Sequence, residues 1–315
     1  MSKQTIWSYL IHLGYNMWLE STQRDGNLAD GYAEDYCCAS DKLRFDRDLF
    51  LELLPRMQAA GINTLLIDLG EGLQYESHPE ISCTDAVSKA EFASLLAKVR
   101  EHGIAPIPKL NFSACHDEWM GPYARKVSTP EYYKACADLI AEVYELFDSP
   151  EYFHLGMDEE TFDHQKLYAY KLVRDTDLWW ADLNFYTKQV TDRGARPWLW
   201  ADRVWNHPNE FLARMPKDFL LSNWYYGIAF SRSLNYIEAY HQLDDAGFEQ
   251  VPTGGNWRCQ WNFEGTVNYC EQHLTPSLLL GFMQTVWRPT LNAVKYRHFE
   301  AVHEVAKNRR PLRSE

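Results

Sequence analysis

The sequence predicts an α/β fold, a single-domain (βα)8 TIM barrel, on three observations. One unit recurs along the whole chain: an amphipathic helical stretch, often closed by glycine, then a short apolar run. The runs are largely continuous in hydrophobicity, as strands covered by helices on their outer face and packed inside a barrel must be. Eight such runs alternate with eight helical stretches, the number that closes a barrel. A doubly wound open sheet is the rival arrangement. It usually needs fewer strands and a glycine-rich first turn, and here only HLGYNMW follows the first run, so there is no dinucleotide fingerprint.

IWSYLIHL opens the chain as the first strand, and residues 14–45 then form the longest stretch without periodicity, expected as a long loop over the barrel mouth. LFLELLPRMQAAG leads into INTLLIDL, EFASLLAKVREHG into IAPIPKLNF, and YYKACADLIAEVYELFD into YFHLGMD. A long helical stretch ending TDRG leads into RPWLWAD, the segment around NEFLARMP precedes FLLSNWYY, and NYIEAYHQLDDAG precedes FEQVPTGGNW. VNYCEQHL precedes LLLGFMQTVW, and AVKYRHFEAVHEVAKN closes the order. Gly61, Gly103, Gly194 and Gly247 stand where a helix C-terminus needs a left-handed residue. Thr129-Pro130 supplies a capping hydroxyl before a proline at the first helical position. Proline and glycine (14 and 16) are scattered, so no linker divides residues 1–315.

Composition narrows the function classes. Subtracting 44 acidic from 31 basic residues gives a formal charge of −13, which repels phosphate backbones and argues against a nucleic-acid partner. No apolar run reaches the roughly 18 residues that suggest a membrane span, and the start MSKQTIWSYLIHLGY lacks the charge pattern and cleavage site of an export signal. Seven cysteines without zinc spacing read as reduced thiols, so a cytoplasmic location is expected. Neither H-x-H nor HExxH occurs, and neither a metal nor another cofactor is expected.

In a (βα)8 barrel the residues that end the strands converge on one face. Here they are His12, Asp68 with Glu71, Asn111 with His116, Asp158-Glu159, Asp202, Asn223-Trp224-Tyr225, Asn256-Trp257 and Trp287-Arg288, with Trp200 just before Asp202. Carboxylates gathered with indole faces suit a carbohydrate, whose C–H faces stack on aromatics while its hydroxyls take hydrogen bonds. The sharpest local signal is FHLGMDEE, residues 153–160. Two consecutive carboxylates at a strand end point in different directions, so one is free to stay ionised while the other is held protonated as a general acid.

His154-x-Gly156-x-Asp158-Glu159 resembles the H-x-G-G-D-E signature of glycoside hydrolase family 20, the β-N-acetylhexosaminidases. INTLLIDLGEGLQYES and GIAPIPKLNFSACH are similar to that family's second- and third-strand segments, with Lys109 and Asn111 in place of its Glu and Asp. WLWAD, SNWYY and QTVW resemble its strand-five, strand-six and strand-eight tryptophan segments. The resemblance implies an exo-acting retaining glycosidase that cleaves a terminal β-linked N-acetylhexosamine by substrate assistance. Asp158 would polarise the 2-acetamido group and Glu159 would serve as general acid/base. His116 would support the acid, Trp200, Trp224 and Trp287 would wall the sugar, and Tyr225 or Tyr226 would donate to the acetamido oxygen. His12, Asp68, Asn111, Asp202, Trp257 and Arg288 complete the expected substrate contacts. Three departures stand out: Met157 replaces the second glycine of the signature, the first strand has no arginine, and Arg288 follows Trp287 where an acidic residue is usual. A guanidinium there suits an anionic substituent if it enters the pocket and does nothing if it faces solvent. Two other readings compete: a conventional retaining glycosidase with Glu264 as nucleophile, and a carbohydrate-binding barrel without chemistry.

Overall fold

The computed structural model describes residues 4–18, 36–166, 168–174 and 176–313. Eight parallel strands alternate with helices: β1 (Ile6–His12), β2 (Thr64–Asp68), β3 (Ala105–Lys109), β4 (Tyr152–His154), β5 (Arg196–Trp200), β6 (Leu220–Ser222), β7 (Thr253–Gly255) and β8 (Gly281–Thr285). The helices are α1 (Arg47–Ala60), α2 (Lys89–Glu101), α3 (Pro130–Leu146), α4 (Thr176–Thr191), α5 (Arg203–Asn206), α6 (Pro208–Arg214), α7 (Asn235–Asp245), α8 (Asn262–His273) and α9 (Lys295–Asn308). The strands lie side by side in the order β6-β5-β4-β3-β2-β1-β8-β7. The gap between β6 and β7 is closed by the bridges Leu221↔Gln250 and Trp224↔Thr253. Their backbone bonds are Val251 N–H to Leu221 O at 2.9 Å and Thr253 N–H to Asn223 O at 2.9 Å. Pro252, which has no N–H to give, sits between these two donors.

Local chemistry sets the elements. Asp46 caps α1 through Leu49 N, and Thr129 caps α3 through Tyr132 N with Pro130 in its first turn. Gly61, Gly103, Gly194 and Gly247 all have φ between +71° and +97°, as the helix ends require. Pro106 and Pro108 stand at alternate positions of β3, so both missing donors fall on the side facing β4. The ladder to β2 is intact over five residues, whereas β3 meets β4 at Lys109↔His154 alone.

Two large apolar cores and a small third cluster result among the described residues. One lies between sheet and helices, around Leu53, Phe92, Leu139, Leu183 and Phe282. The other fills the barrel, with Leu10, Leu66, Ile107, Trp198, Trp200 and Met283. Near the top of the barrel, strand register aligns His12 with Asp68, Asp68 with Lys109, and Lys109 with His154. All four are buried, and Lys109 Nζ donates to Asp68 Oδ2 at 2.5 Å.

The loop expected at 14–45 is described only at its two ends. Residues 19–35 of it lie outside the described residues, while Met17, Trp18 and Cys37 reach the cavity at the mouth. Among the described residues, no helix is long and apolar enough to cross a membrane. The seven cysteines carry free thiols.

Candidate active site

The fourth strand is shorter than YFHLGMD suggests. It stops at His154, and the chain turns through left-handed conformations at Gly156 (φ 70°), Met157 (φ 69°) and Glu159 (φ 57°). Gly156 is required by close approach, because a Cβ there would sit 2.1 Å from Asn111 Oδ1. Met157 and Glu159 carry the side-chain penalty of that region, so neighbouring strands must hold them. Asn111 Oδ1 accepts from Met157 N at 3.1 Å, Ser113 Oγ donates to Asp158 O at 2.5 Å, and Asp202 Oδ2 accepts from Glu159 N at 2.8 Å. The Met157 side chain turns down into the sheet–helix core, where Arg174 Nη2 lies 3.6 Å from its sulfur. Arg174 is itself buried and braced by Glu160 at 2.6 Å and Asp182 at 2.8 Å.

This turn presents Asp158 and Glu159 to one imidazole. His116 Nε2 is 3.5 Å from Asp158 Oδ2 and 3.2 Å from Glu159 Oε2. Its Nδ1 lies 2.8 Å from Met17 O, an acceptor, so Nδ1 carries a proton. Asn111 Nδ2 donates to Asp158 Oδ1 at 2.7 Å. A second imidazole, His164, places Nε2 3.3 Å from Glu159 Oε1. The cavity above has a volume of about 870 Å³.

The charges follow from these distances. Burial pushes Glu159 up, but hydrogen bonds from His116 and His164 and their charges outweigh it and hold the carboxyl well below its usual range. Burial opposes the charge on His116, yet the nearby Asp158 and Glu159 raise its pKa to about 9. Burial, then the charge of Asp158, raises Asp202 to about 7. Of Glu159 and Asp202, it is therefore Asp202 that is held toward its protonated form in the free site and Glu159 that is held toward its ionised form. Asp202 combines that shift with an Oδ1 that has no hydrogen-bond partner. Its pKa rises from 3.8 in the unfolded chain to about 7, so its stability contribution is complete below about pH 4 and lost as pH rises through 7. Asp202→Asn should therefore raise Tm at pH 8 relative to wild type and remove that slope, as thermal unfolding across pH 5–8 would reveal; an unchanged slope would discount the buried carboxyl.

Aromatic groups form the wall. Trp287 Nε1 donates to Tyr226 OH at 2.7 Å, and because an indole N–H only donates, Tyr226 keeps its own proton to give. Trp224 stacks beside Tyr226, with centroids 5.5 Å apart and planes at 25°. Trp18 and Trp257 run nearly parallel at 6.3 Å. The indole nitrogens of Trp18 and Trp224, two residues that line the cavity, have no hydrogen-bond partner among the described residues.

Among the residues expected from sequence, Asn111, His116, Asp158 and Glu159 line the cavity together with Trp224, Tyr225, Trp257 and Trp287. Tyr225 turns its hydroxyl away to Ala229 O at 3.0 Å, so Tyr226 is the tyrosine whose hydroxyl meets Trp287. His12 and Asp68 lie below the cavity inside the barrel, with Asp68 committed to Lys109. Trp200 is a buried support, 6.0 Å from Trp287. Asp202 holds the Glu159 backbone from beneath. Arg288 neither enters the cavity nor faces solvent: its guanidinium lies 4.2 Å from the Trp257 ring centroid, and Nη1 donates to Trp287 O at 2.9 Å. Glu264 is displaced altogether, on the outside of α8 in an ion pair with Lys307 at 2.6 Å, which removes it as a nucleophile. Sequence reasoning missed His164 and Trp18, since both come from loops whose positions no periodicity defines.

Cys115, His116 and Glu159 bring three ligand-type atoms within 4.8 Å of one another. Burial pushes the Cys115 thiol well up and His116 holds its proton to about pH 9, so a metal would have to displace both protons.

No protein-family model matches the sequence, and no curated protein sequence matches it. Solved structures do. Dispersin B superposes with a TM-score of 0.57 at 11% identity, over 84% of this chain and 95% of that one. The β-N-acetylhexosaminidase from Bacteroides fragilis gives 0.65 at 12% identity, over 95% of this chain and 65% of that one. The GH20 exo β-N-acetylglucosaminidase from Vibrio harveyi, solved in complex with N-acetylglucosamine, gives 0.60 at 12% identity over 95% of this chain. This chain spans 54% of the Vibrio protein's length. Across most of its length the chain thus has the fold of the glycoside hydrolase family 20 β-N-acetylhexosaminidase catalytic barrels.

Proposed function

We propose that the protein is an exo-acting retaining glycosidase that removes a terminal β-linked N-acetylhexosamine by substrate-assisted catalysis. The observation that carries the proposal is the shared contact of Asp158 and Glu159 with His116 Nε2, at 3.5 and 3.2 Å, beneath the tryptophan wall. Asp158, oriented by the Asn111 amide, accepts the acetamido N–H and stabilises the positive charge that develops there. Tyr226 donates a hydrogen bond to the acetamido oxygen and orients it toward the anomeric carbon. That oxygen forms the new bond to the anomeric carbon as the bond to the leaving oxygen breaks, giving an oxazolinium ion without a protein nucleophile.

The leaving oxygen takes a proton from Glu159. In the free site that proton resides on His116, so His116 and Glu159 act as one coupled pair. A bound aglycone that excludes water from Glu159 favours transfer across the 3.2 Å contact, because it penalises the separated charges. Glu159 then takes the proton of the incoming water, which opens the oxazolinium ion with net retention.

A panel of chromogenic β-glycosides differing only at C2 and C4 tests the reading: 2-acetamido sugars should be cleaved and their 2-hydroxy counterparts not. Asp158→Asn should lower kcat/KM by roughly 10²–10³-fold, the scale of one lost electrostatic partner of the transition state. A thiazoline mimic of the cyclised intermediate should inhibit the wild type competitively and the variant poorly. Equal turnover of 2-hydroxy and 2-acetamido substrates would exclude substrate assistance.

A further inference from the structure

Glu71 is a buried carboxylate that the proposed reaction does not use. It sits in the turn that follows β2, and both of its oxygens are committed to the loop that leaves β1. Oε1 accepts from Tyr15 N at 2.8 Å and Oε2 from Asn16 N at 3.1 Å. Loop and turn are in close contact, since a Cβ on Gly14 would stand 2.7 Å from Glu71 Oε2. Burial raises the pKa of this carboxyl, against the pull of the two backbone donors and of the Arg44 charge. Arg44 holds the returning end of the same loop by the carbonyls of Tyr36 and Cys38. The two ends meet where the Asn16 amide donates to Ser40 O at 2.7 Å and accepts from Ser40 N at 2.9 Å.

The residues that Glu71 holds are the ones that reach the site. Next after Asn16, Met17 offers its carbonyl to His116 Nδ1 at 2.8 Å, which leaves Nε2 for Asp158 and Glu159. Just before Asn16, Tyr15 OH donates at 2.8 Å to Trp287 O. Trp287 has φ 46°, a conformation that its neighbours must hold. Resting on the glycosidase reading above, we propose that Glu71 is a positioning residue, acting through the backbone of residues 15–17 on His116 and through the Tyr15 hydroxyl on Trp287. The competing role is a brace that stabilises the loop and nothing beyond it.

Glu71→Gln separates the two roles. Glutamine keeps the shape but has one acceptor oxygen, so its amide meets the second backbone N–H donor to donor. The loop then draws back, and the His116 imidazolium loses the Met17 carbonyl. NMR titration of the free protein with labelled histidine reads this without any substrate. Asp158, Glu159, Cys115 and His164 are the titratable groups around the His116 ring, and the substitution leaves all four in place. The His116 pKa should fall by about one to two pH units, the scale of one hydrogen bond to a charged group. Gly14→Ala, which wedges a methyl group against the same carboxylate, should lower it too. Tyr15→Phe should leave that titration unchanged and raise KM about fivefold, the scale of one neutral hydrogen bond. In the wild type the His116 Nδ1–H should exchange far more slowly than that of the exposed His303. A folded Glu71→Gln or Gly14→Ala variant with the wild-type His116 titration would overturn the proposal, and so would fast exchange at His116. The hydrolase reading is tested apart from this. A lowered His116 pKa in a protein that cleaves no 2-acetamido glycoside would support the link from Glu71 to His116 and overturn the hydrolase reading. Cleavage with an unmoved titration would overturn the role of Glu71 alone.

Discussion

Glu159→Gln should lower kcat by about 10²–10⁴-fold on substrates with alkyl or sugar leaving groups, the contribution of a positioned general acid. On a 2,4-dinitrophenyl glycoside the loss should stay under about tenfold, because such a leaving group needs little protonation. Glutamine preserves the size of the side chain and accepts from an imidazole, but it has no acidic proton to give. The wild-type rate should also fall with a single-proton slope above about pH 9. His116 has its pKa raised in the folded protein to about 9, so the proton shared with Glu159 is present below that value and lost as pH rises through it. With Glu159 neutral, the imidazolium loses one of its two carboxylate partners and that limb should move to lower pH in whatever activity remains. Equal losses on good and poor leaving groups would make Glu159 a positioning residue.

Asp68→Ala should destabilise the fold by about 3–5 kcal/mol, because it strands the Lys109 ammonium inside the barrel without a counter-charge. Lys109 has no exposed surface and cannot swing to water. Burial pushes Asp68 up, but the Lys109 charge and the His12 hydrogen bond outweigh it and hold the carboxyl down to about 2. Depressed below the unfolded value of 3.8, it contributes stability that is complete above about pH 4 and fades as pH falls through 2. Adding Lys109→Met to Asp68→Ala should restore most of the loss, since replacing both partners by apolar groups avoids the stranded charge. Urea unfolding of the two variants measures both effects. A single variant within 1 kcal/mol of wild type would mean that water reaches Lys109.

The sequence showed the barrel's order of elements because periodicity, caps and left-handed glycines act over a few residues. Thr129-Pro130 starts a helix and Gly61 ends one wherever the rest of the chain lies. Strand ends were less legible. YFHLGMD reads as one apolar run, yet β4 stops at His154, because Asn111 and Asp202, 46 and 43 residues away from their backbone partners, draw the following chain into a turn. The position of Arg288 depended on one step of strand register, and Trp257 captured its guanidinium in a place neither reading had anticipated. Glu264 looked available because it follows β7 closely, but helix phase turned it outward to Lys307.

By itself, then, the sequence determined eight βα units in one barrel and put an Asp-Glu pair beyond the fourth strand, since both rest on local spacing. Only the tertiary structure decided which carboxyl is charged, because that depends on burial and on imidazoles brought in from other loops. His116 arrives from beyond β3 and His164 from the β4–α4 loop, and together they ionise Glu159; Asp202, buried beside the charge of Asp158, keeps its proton to about pH 7. A pKa is set by distances in space, and no spacing along the chain encodes the 3.2 Å between His116 and Glu159.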